Sequence, residues 1–234
     1  MPVTYELRDQ VATITLDDGK ANAIGQDVLD DLNAILDKVD AEPEARALLI
    51  AGRPGRFSAG FDLAAMTSSP ESMRRLVIGG GRLCGRLLMQ PRPVVMACTG
   101  HALAAGALIL LSGDHRIGAE GDWKIGLNEV SIGMPMPRWG VELASYRLAP
   151  TELTWRLVLG QTGSPDEATR AGFLDRVVPA DQVLAEATAT AAQLAGLRSG
   201  AVSGTKERAR GELISRMLDD IEADLASVTV PQVG

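Results

Sequence analysis

Two runs near the N-terminus, Val3 to Leu7 and Val11 to Leu16, alternate apolar and polar positions and are rich in β-branched residues. That period of two predicts a hairpin turned at Arg8-Asp9-Gln10. From Gly25 the period becomes helical, with Val28, Leu29, Leu32, Ile35, Leu36 and Val39 on one face. Ala47-Leu48-Leu49-Ile50 is unbroken apolar sequence and predicts a buried strand running into the loop Gly52-Arg53-Pro54-Gly55-Arg56. Pro70 to Met89 predicts a second helix, irregular at Gly79-Gly80-Gly81, because glycine weakens a helix interior. Val94 to Cys98 is the next strand, and Ala105 to Leu111 opens a helix that is apolar on every side.

Short strands are predicted around His115 to Ile117 and Trp123 to Ile125, and a helix over Thr151 to Leu159 after Pro150. Ser164-Pro165-Asp166-Glu167 has the make-up of a helix start, with Ser as cap, Pro in the first turn and acids at the positive end of the dipole. That helix closes at Gly172, and Asp175 to Val178 is a last strand. Gln182 to Leu197 and Gly204 to Ala226 read as two long helices. Strands alternating with helices over the first two thirds define an α/β fold. The apolar positions of the tail (Ile214, Met217, Leu218, Ile221 and Leu225) require a surface to dock on.

With 234 residues the chain fits one large domain, or one domain with a C-terminal extension. A net charge of −7 argues against a nucleic-acid partner, since phosphate neutralisation needs a basic surface. An anionic ligand bound by a few local cations remains compatible with it. Two cysteines, Cys84 and Cys98, rule out a disulfide framework and make a thiolate metal site unsuited. The start of the chain lacks the basic-then-apolar pattern of a signal peptide, and the apolar stretch Ala102 to Leu111 is too short to span a bilayer. The expectation is a cytoplasmic protein without a membrane partner.

Two small-residue turns carry the candidate chemistry: Phe57-Ser58-Ala59-Gly60-Phe61-Asp62 and Gly100-His101-Ala102-Leu103-Ala104-Ala105-Gly106. Gly and Ala there let backbone N–H groups approach a ligand closely. Two such donors aimed at one carbonyl oxygen stabilise an enolate or a tetrahedral anion. Downstream stands Glu129, in the apolar company of Ile125, Leu127, Val130, Ile132 and Met134. Partial burial would raise its pKa toward that of a useful general base. Among lesser candidates, Glu142 reads as a surface charge, His101 as a ring hydrogen-bonded to backbone, and Asp62 as a helix cap. Trp123, Trp139 and Met136 could line an acyl pocket, although such residues are more often plain core.

The first turn with Leu63, then Pro93-Val94-Val95-Met96-Ala97 leading into the second turn, then Ser112-Gly113-Asp114-His115-Arg116, resemble the enoyl-CoA hydratase/isomerase (crotonase) superfamily in order and spacing. Ala21-Asn22-Ala23 resembles its early CoA-contacting turn, and Ala168, Gly172, Asp175 and Val177 its later helix-to-strand signature. The resemblance implies repeated β-β-α units winding a superhelix over residues 1–180, with a helical trimerisation region over 181–234. It also implies a homotrimer, or a hexamer made as a dimer of trimers, acting on an acyl-CoA thioester with no metal or other cofactor.

By the same resemblance, the N–H groups of Phe61 and Ala105 are the oxyanion donors and Glu129 is the base. Alanine replaces the usual glycine in the second turn, and it serves as donor so long as its φ stays below zero. Substrate contacts are implied at Ala21, Ala23, Ala59, Gly60, Asp62, Gly106, Leu108, Met134 and Lys206. Lys20, Arg56 and Arg210 are further cations suited to CoA phosphates, or simply solvated surface charges. Leu108 stands where the hydratases carry one of two glutamates, while Glu129 is retained. The Ile125-Gly126-Leu127-Asn128-Glu129 run resembles the monofunctional 3,2-trans-enoyl-CoA isomerases. A hydratase and a noncatalytic acyl-CoA-binding paralogue are the alternatives.

Overall fold

A computed structural model describes residues 2–219 and 221–226. Met1 and the 227–234 end of the C-terminal region lie outside the described residues. Strands β1 (Val3–Arg8) and β2 (Val11–Leu16) form the expected antiparallel hairpin. Asp9 and Gln10 at its tip both take positive φ, 48° and 66°, as a tight hairpin turn of matching twist demands. β3 (Ala23–Ile24) and α1 (Gln26–Ala41) follow, then β4 (Ala47–Gly52), β5 (Gly55–Ser58) and β6 (Gly60–Phe61). Next come α2 (Leu63–Ser68), α3 (Pro70–Leu88), β7 (Val94–Cys98), β8 (Gly100–Leu103), α4 (Ala105–Leu111), β9 (His115–Ala119) and β10 (Ile125–Gly126). The chain continues with α5 (Arg138–Arg147), α6 (Pro165–Ala171), β11 (Arg176–Val178), α7 (Val183–Ala195), α8 (Ser199–Leu218) and α9 (Ile221–Ala226).

The main sheet has the order β1-β2-β4-β7-β9-β11, parallel throughout except for the hairpin. β4 and β7 are buried along their whole length, which is why their sequences are unbroken apolar runs. A second, parallel sheet, β10-β8-β5, stacks the strand that follows each main-sheet strand, and β3 pairs with β6. Strand, strand, helix is thus the repeating unit, as the resemblance implies.

Helix α3 corrects one expectation. It runs unbroken through Gly79-Gly80-Gly81. A methyl group added at Gly79 would meet Leu29 at 2.9 Å, one at Gly80 the Phe61 ring at 2.5 Å, and one at Gly81 would meet Ile221 at 2.8 Å and Trp139 at 3.1 Å. The glycines give α3 a flat face on which four other elements press, α1, β6, α5 and α9. The Thr151 to Leu159 segment is also less regular than expected, being π-helical over Thr154–Val158. In the tail, α8 begins at Ser199 rather than Gly204 and ends at Leu218 before α9, so the last predicted helix is two. Helix α7 buries Val183, Ala187, Ala191 and Ala195 against main-sheet residues such as Leu49, Val95 and Ile117, and is part of the core. Leu213, Met217, Ile221 and Leu225 join the larger cluster with Trp139 and Leu83, so the tail docks on its own chain.

Candidate active site

One buried amide fixes the first turn. Asn22 takes φ 53°, a region Asn tolerates better than most residues, and is 3% exposed. Its Nδ2 donates to the carbonyls of Leu16 (2.8 Å), Arg56 (3.2 Å) and Phe57 (3.2 Å). Ser58 Oγ donates to the Asn22 carbonyl at 2.7 Å and accepts from the Gly60 N–H at 3.1 Å. Ala21 also takes part, its carbonyl accepting from Ala59 N–H at 3.0 Å. Asn22 thus holds the Ala21-Asn22-Ala23 turn against the first small-residue turn, and β3 and β6 register Ile24 opposite Phe61. Because Asp62 N–H donates to Ile24 O at 3.1 Å, strand alternation turns the Phe61 N–H to the other edge. Asp62 caps α2 as expected, Oδ1 accepting from Ala65 N–H at 2.9 Å.

On that other edge lies the second turn. Gly60, at φ 95°, is so close to it that an added Cβ would sit 2.9 Å from Ala104 Cβ, 3.0 Å from Leu103 O and 3.2 Å from Ala105 N. Gly106 makes the matching approach, since a Cβ there would be 2.6 Å from Ser58 O. Ala104 N–H donates to Gly126 O at 3.0 Å, and Leu108 N–H donates back to Ala104 O at 3.1 Å. Ala105 is therefore the first residue of α4, and its N–H is one of those the helix itself leaves unpaired, at the positive end of the dipole. The condition set on Ala105 is met, since it is helical; Ala104 carries the positive φ, 48° with ψ −126°, so the strain sits one residue upstream.

Glu129 opens a 3-10 turn, Glu129–Ile132, which Gly133 closes in the left-handed region. Its side chain is 7% exposed and its Oε2 is buried with no hydrogen-bond partner. Burial pushes the carboxyl up to about 7, with a bond from its own backbone N–H pulling weakly the other way. A cavity of about 110 Å³ brings Glu129 together with Ala59, Phe61, Ala104, Leu108 and Met134. Trp139 joins them in the wall, whereas Trp123 stacks edge-on against His101, ring centroids 5.4 Å apart. His101 Nδ1 accepts from Lys124 N–H at 2.9 Å, the backbone bond expected of it. Glu142 pairs with Arg216 at 2.9 Å and lies outside the cavity lining.

Sequence reasoning missed the rest of the wall: Leu63 and Met66 of α2, Val77 of α3, and Asn128, Ile132 and Pro137. The helical period places Val77 on a buried face, but no sequence signal tells that face which space it borders. Ala23 lies away from this cavity, beside Leu16, Asp18 and Ile24. Lys206 is a clear departure. It is 6% exposed, and its Nζ donates to Gln90 O and Arg92 O, both at 2.9 Å, and pairs with Asp114 at 2.5 Å. All three ammonium donors are committed inside the fold, so the structure does not offer Lys206 to a CoA phosphate. Of the other cations, Lys20 is exposed, Arg56 Nη1 bonds Gly55 O at 3.0 Å, and Arg210 pairs with Asp114 through Nη1.

A buried carboxylate pushed up to about 7, an apolar cavity and two closely packed turns have the make-up of a site for proton transfer beside a carbonyl. The enoyl-CoA hydratase/isomerase family model matches residues 6–229. The chain belongs to that family, the crotonase superfamily. It is 30% identical over 218 residues to the human mitochondrial enoyl-CoA delta isomerase 1, covering 92% of this chain and 72% of that protein. A probable enoyl-CoA hydratase of Mycobacterium tuberculosis is 29% identical, covering 88% and 81%. The crystal structure of an enoyl-CoA hydratase/isomerase family protein from Pseudomonas syringae superposes with TM-score 0.94 at 42% identity, covering 97% of this chain and 98% of that one. No helix among the described residues is long and apolar enough to cross a membrane.

Proposed function

We propose that the protein is an enoyl-CoA isomerase, moving the double bond of an acyl-CoA from the 3- to the 2-position. The observation that carries this reading is that Glu129 is the one ionisable side chain in the described lining of its cavity, with Leu108 in the same wall. Adding water across a double bond asks for one group to activate water and another to manage the alpha proton, and leucine does neither. Shifting a double bond asks for a single base.

The thioester carbonyl sits between the N–H groups of Phe61 and Ala105. Ionised Glu129 takes a proton from C2, and the C2–H electron pair moves into the conjugated system as a dienolate whose charge rests on the thioester oxygen. Glu129, now protonated, returns that proton to C4, the C2–C3 double bond forms, and the carboxylate is regenerated. A pKa of about 7 suits both halves of the cycle. Each amide acts where negative charge develops, and losing one good donor typically costs about 2.7–4 kcal/mol. The name of the human relative points to the same reaction.

The test is to incubate the protein with 3-hexenoyl-CoA and, separately, with crotonyl-CoA, following conjugated thioester absorbance. A rise with the first, no loss with the second, and a fall on the order of 10²–10⁴-fold in Glu129→Gln support the reading. Loss of crotonyl-CoA absorbance without isomerisation makes it a hydratase. Tight binding without turnover of either substrate makes it a binding paralogue.

A further inference from the structure

A second concavity, of about 690 Å³, lies between α7 and α8 and shares no lining residue with the Glu129 cavity. That volume is in the range of small-molecule sites, about 300–1,000 Å³. Leu194 and Leu197 form one wall and Ala201 and Val202 the other, and Lys206 and Arg210 come in beside Asp114. A cluster of buried charge stands behind these cations. Arg210 Nη1 bonds Asp114 at 2.7 Å and Leu88 O at 2.8 Å, and its Nε bonds Tyr146 Oη at 3.3 Å. Arg147 donates to Leu111 O at 2.8 Å and Gly113 O at 2.5 Å, and Arg116 grips Asp175 through Nε at 3.0 Å and Nη2 at 2.7 Å.

The charges in this cluster do not balance. Arg116, Arg147, Lys206 and Arg210 are four cations facing two carboxylates, Asp114 and Asp175. The carbonyl ends of α3, α4 and α6, at Leu88, Leu111 and Gly172, offset part of the difference, Gly172 O accepting from Arg116 Nη1 at 2.6 Å. A positive surplus is left where ions are ordinarily paired. The crowding also registers on Arg147, whose pKa is pushed down to about 10 by burial and then by Arg116 and Arg210. Arg210 Nη2 makes none of the bonds above, and Arg198 stands exposed in the lining with no ion pair among the described residues.

We infer that this groove binds an amphipathic carboxylate of fatty-acid type, its head group against Arg210 and its chain along Val202, Ala201, Leu197 and Leu194. The apolar walls disfavour a free inorganic anion, and the surplus positive charge disfavours a neutral or cationic amphiphile. The site stands apart from the acyl-CoA cavity, so its occupancy does not depend on which reaction Glu129 catalyses.

The experiment is calorimetric titration of the full-length protein with dodecanoate, below micelle formation and in saturating hexanoyl-CoA so that the Glu129 cavity is filled. The expected result is one saturable site per chain, weakened at least tenfold by Ala201→Trp, which fills the groove. Leu197→Asp, which puts a charge in the apolar wall at an exposed position, should weaken it several-fold and serves independently if Ala201→Trp does not fold. Dodecyltrimethylammonium should show no saturable binding. Absence of saturable dodecanoate binding, unchanged affinity in the folded variants, or equal binding of the cationic amphiphile would each overturn the assignment.

Discussion

Substituting Gly60 by alanine perturbs the site without removing any functional side chain. The residue sits at φ 95°, where a Cβ is strained by about 1–3 kcal/mol. The new methyl would lie 2.9 Å from Ala104 Cβ, against an unstrained carbon–carbon contact of about 3.5–4.0 Å. Its other neighbours, Leu103 O at 3.0 Å and Ala105 N at 3.2 Å, are backbone and have no rotamer with which to escape. Relief therefore means moving the two turns apart by about 0.6–1 Å. Overpacking of this kind adds about 1–3 kcal/mol, for a total stability loss of about 2–6 kcal/mol. A displacement near 1 Å at a reacting centre costs about 10²-fold in rate. Steady-state kinetics on 3-hexenoyl-CoA should show kcat about a hundredfold lower with KM changed far less, in protein whose circular dichroism confirms folding. A folded Gly60→Ala protein with kcat within threefold of the parent would refute the claim that the two turns hold the donors in contact.

Three further substitutions test other parts of the fold. The folded Glu129 carboxyl titrates near 7 against 4.5 ordinarily, so between those values the native state keeps a proton that the unfolded chain releases. Stability present below pH 4.5 is thus lost as pH rises through 7, by up to about 3 kcal/mol. Urea melts should show Glu129→Gln matching the parent near pH 4 and exceeding it at pH 8; in the parent, kcat/KM should climb through pH 7 to a plateau as the base ionises. Ala104→Gly should relieve about 1–3 kcal/mol of strain at a chain-entropy cost of about 0.5–1, giving a net gain near 1 kcal/mol in denaturant unfolding. A loss there would mean that the φ of 48° is not strained. Lys206→Met leaves Asp114 to Arg210 and the Val94 N–H and takes the donor from two carbonyls, and should cost about 1–3 kcal/mol. KM for the CoA thioester should not change, and a rise would restore Lys206 to the substrate.

Much of this could be read from the chain because single-period patterns belong to single elements. The hairpin, α1, the buried strands β4 and β7, and the capping box at Ser164 and Glu167 each follow from residues within one short window. Glu129 was legible for a related reason, since two of its apolar neighbours in sequence, Ile132 and Met134, also line its cavity. Where a residue's purpose lies across the fold, the local signal misleads. Gly79-Gly80-Gly81 reads as a break because helix propensity is local, yet its partners Leu29, Phe61, Trp139 and Ile221 are scattered over the chain. Lys206 reads as a solvated cation because nothing nearby announces Asp114, ninety-two positions away. Asn22 was visible only as part of a turn, and two of the three carbonyls it gathers, those of Arg56 and Phe57, come from a distant segment.

The bare flank of α3 makes one helix the common abutment of the chain's far end and the reaction chamber. Ile221, close to the C-terminus, leans on Gly81, the Trp139 of the chamber wall leans on the same residue, and Phe61 leans on Gly80 next door. A lesion in α9 is thus transmitted to Phe61, the proposed donor, by direct steric relay, with no need for any residue of that helix to reach the substrate.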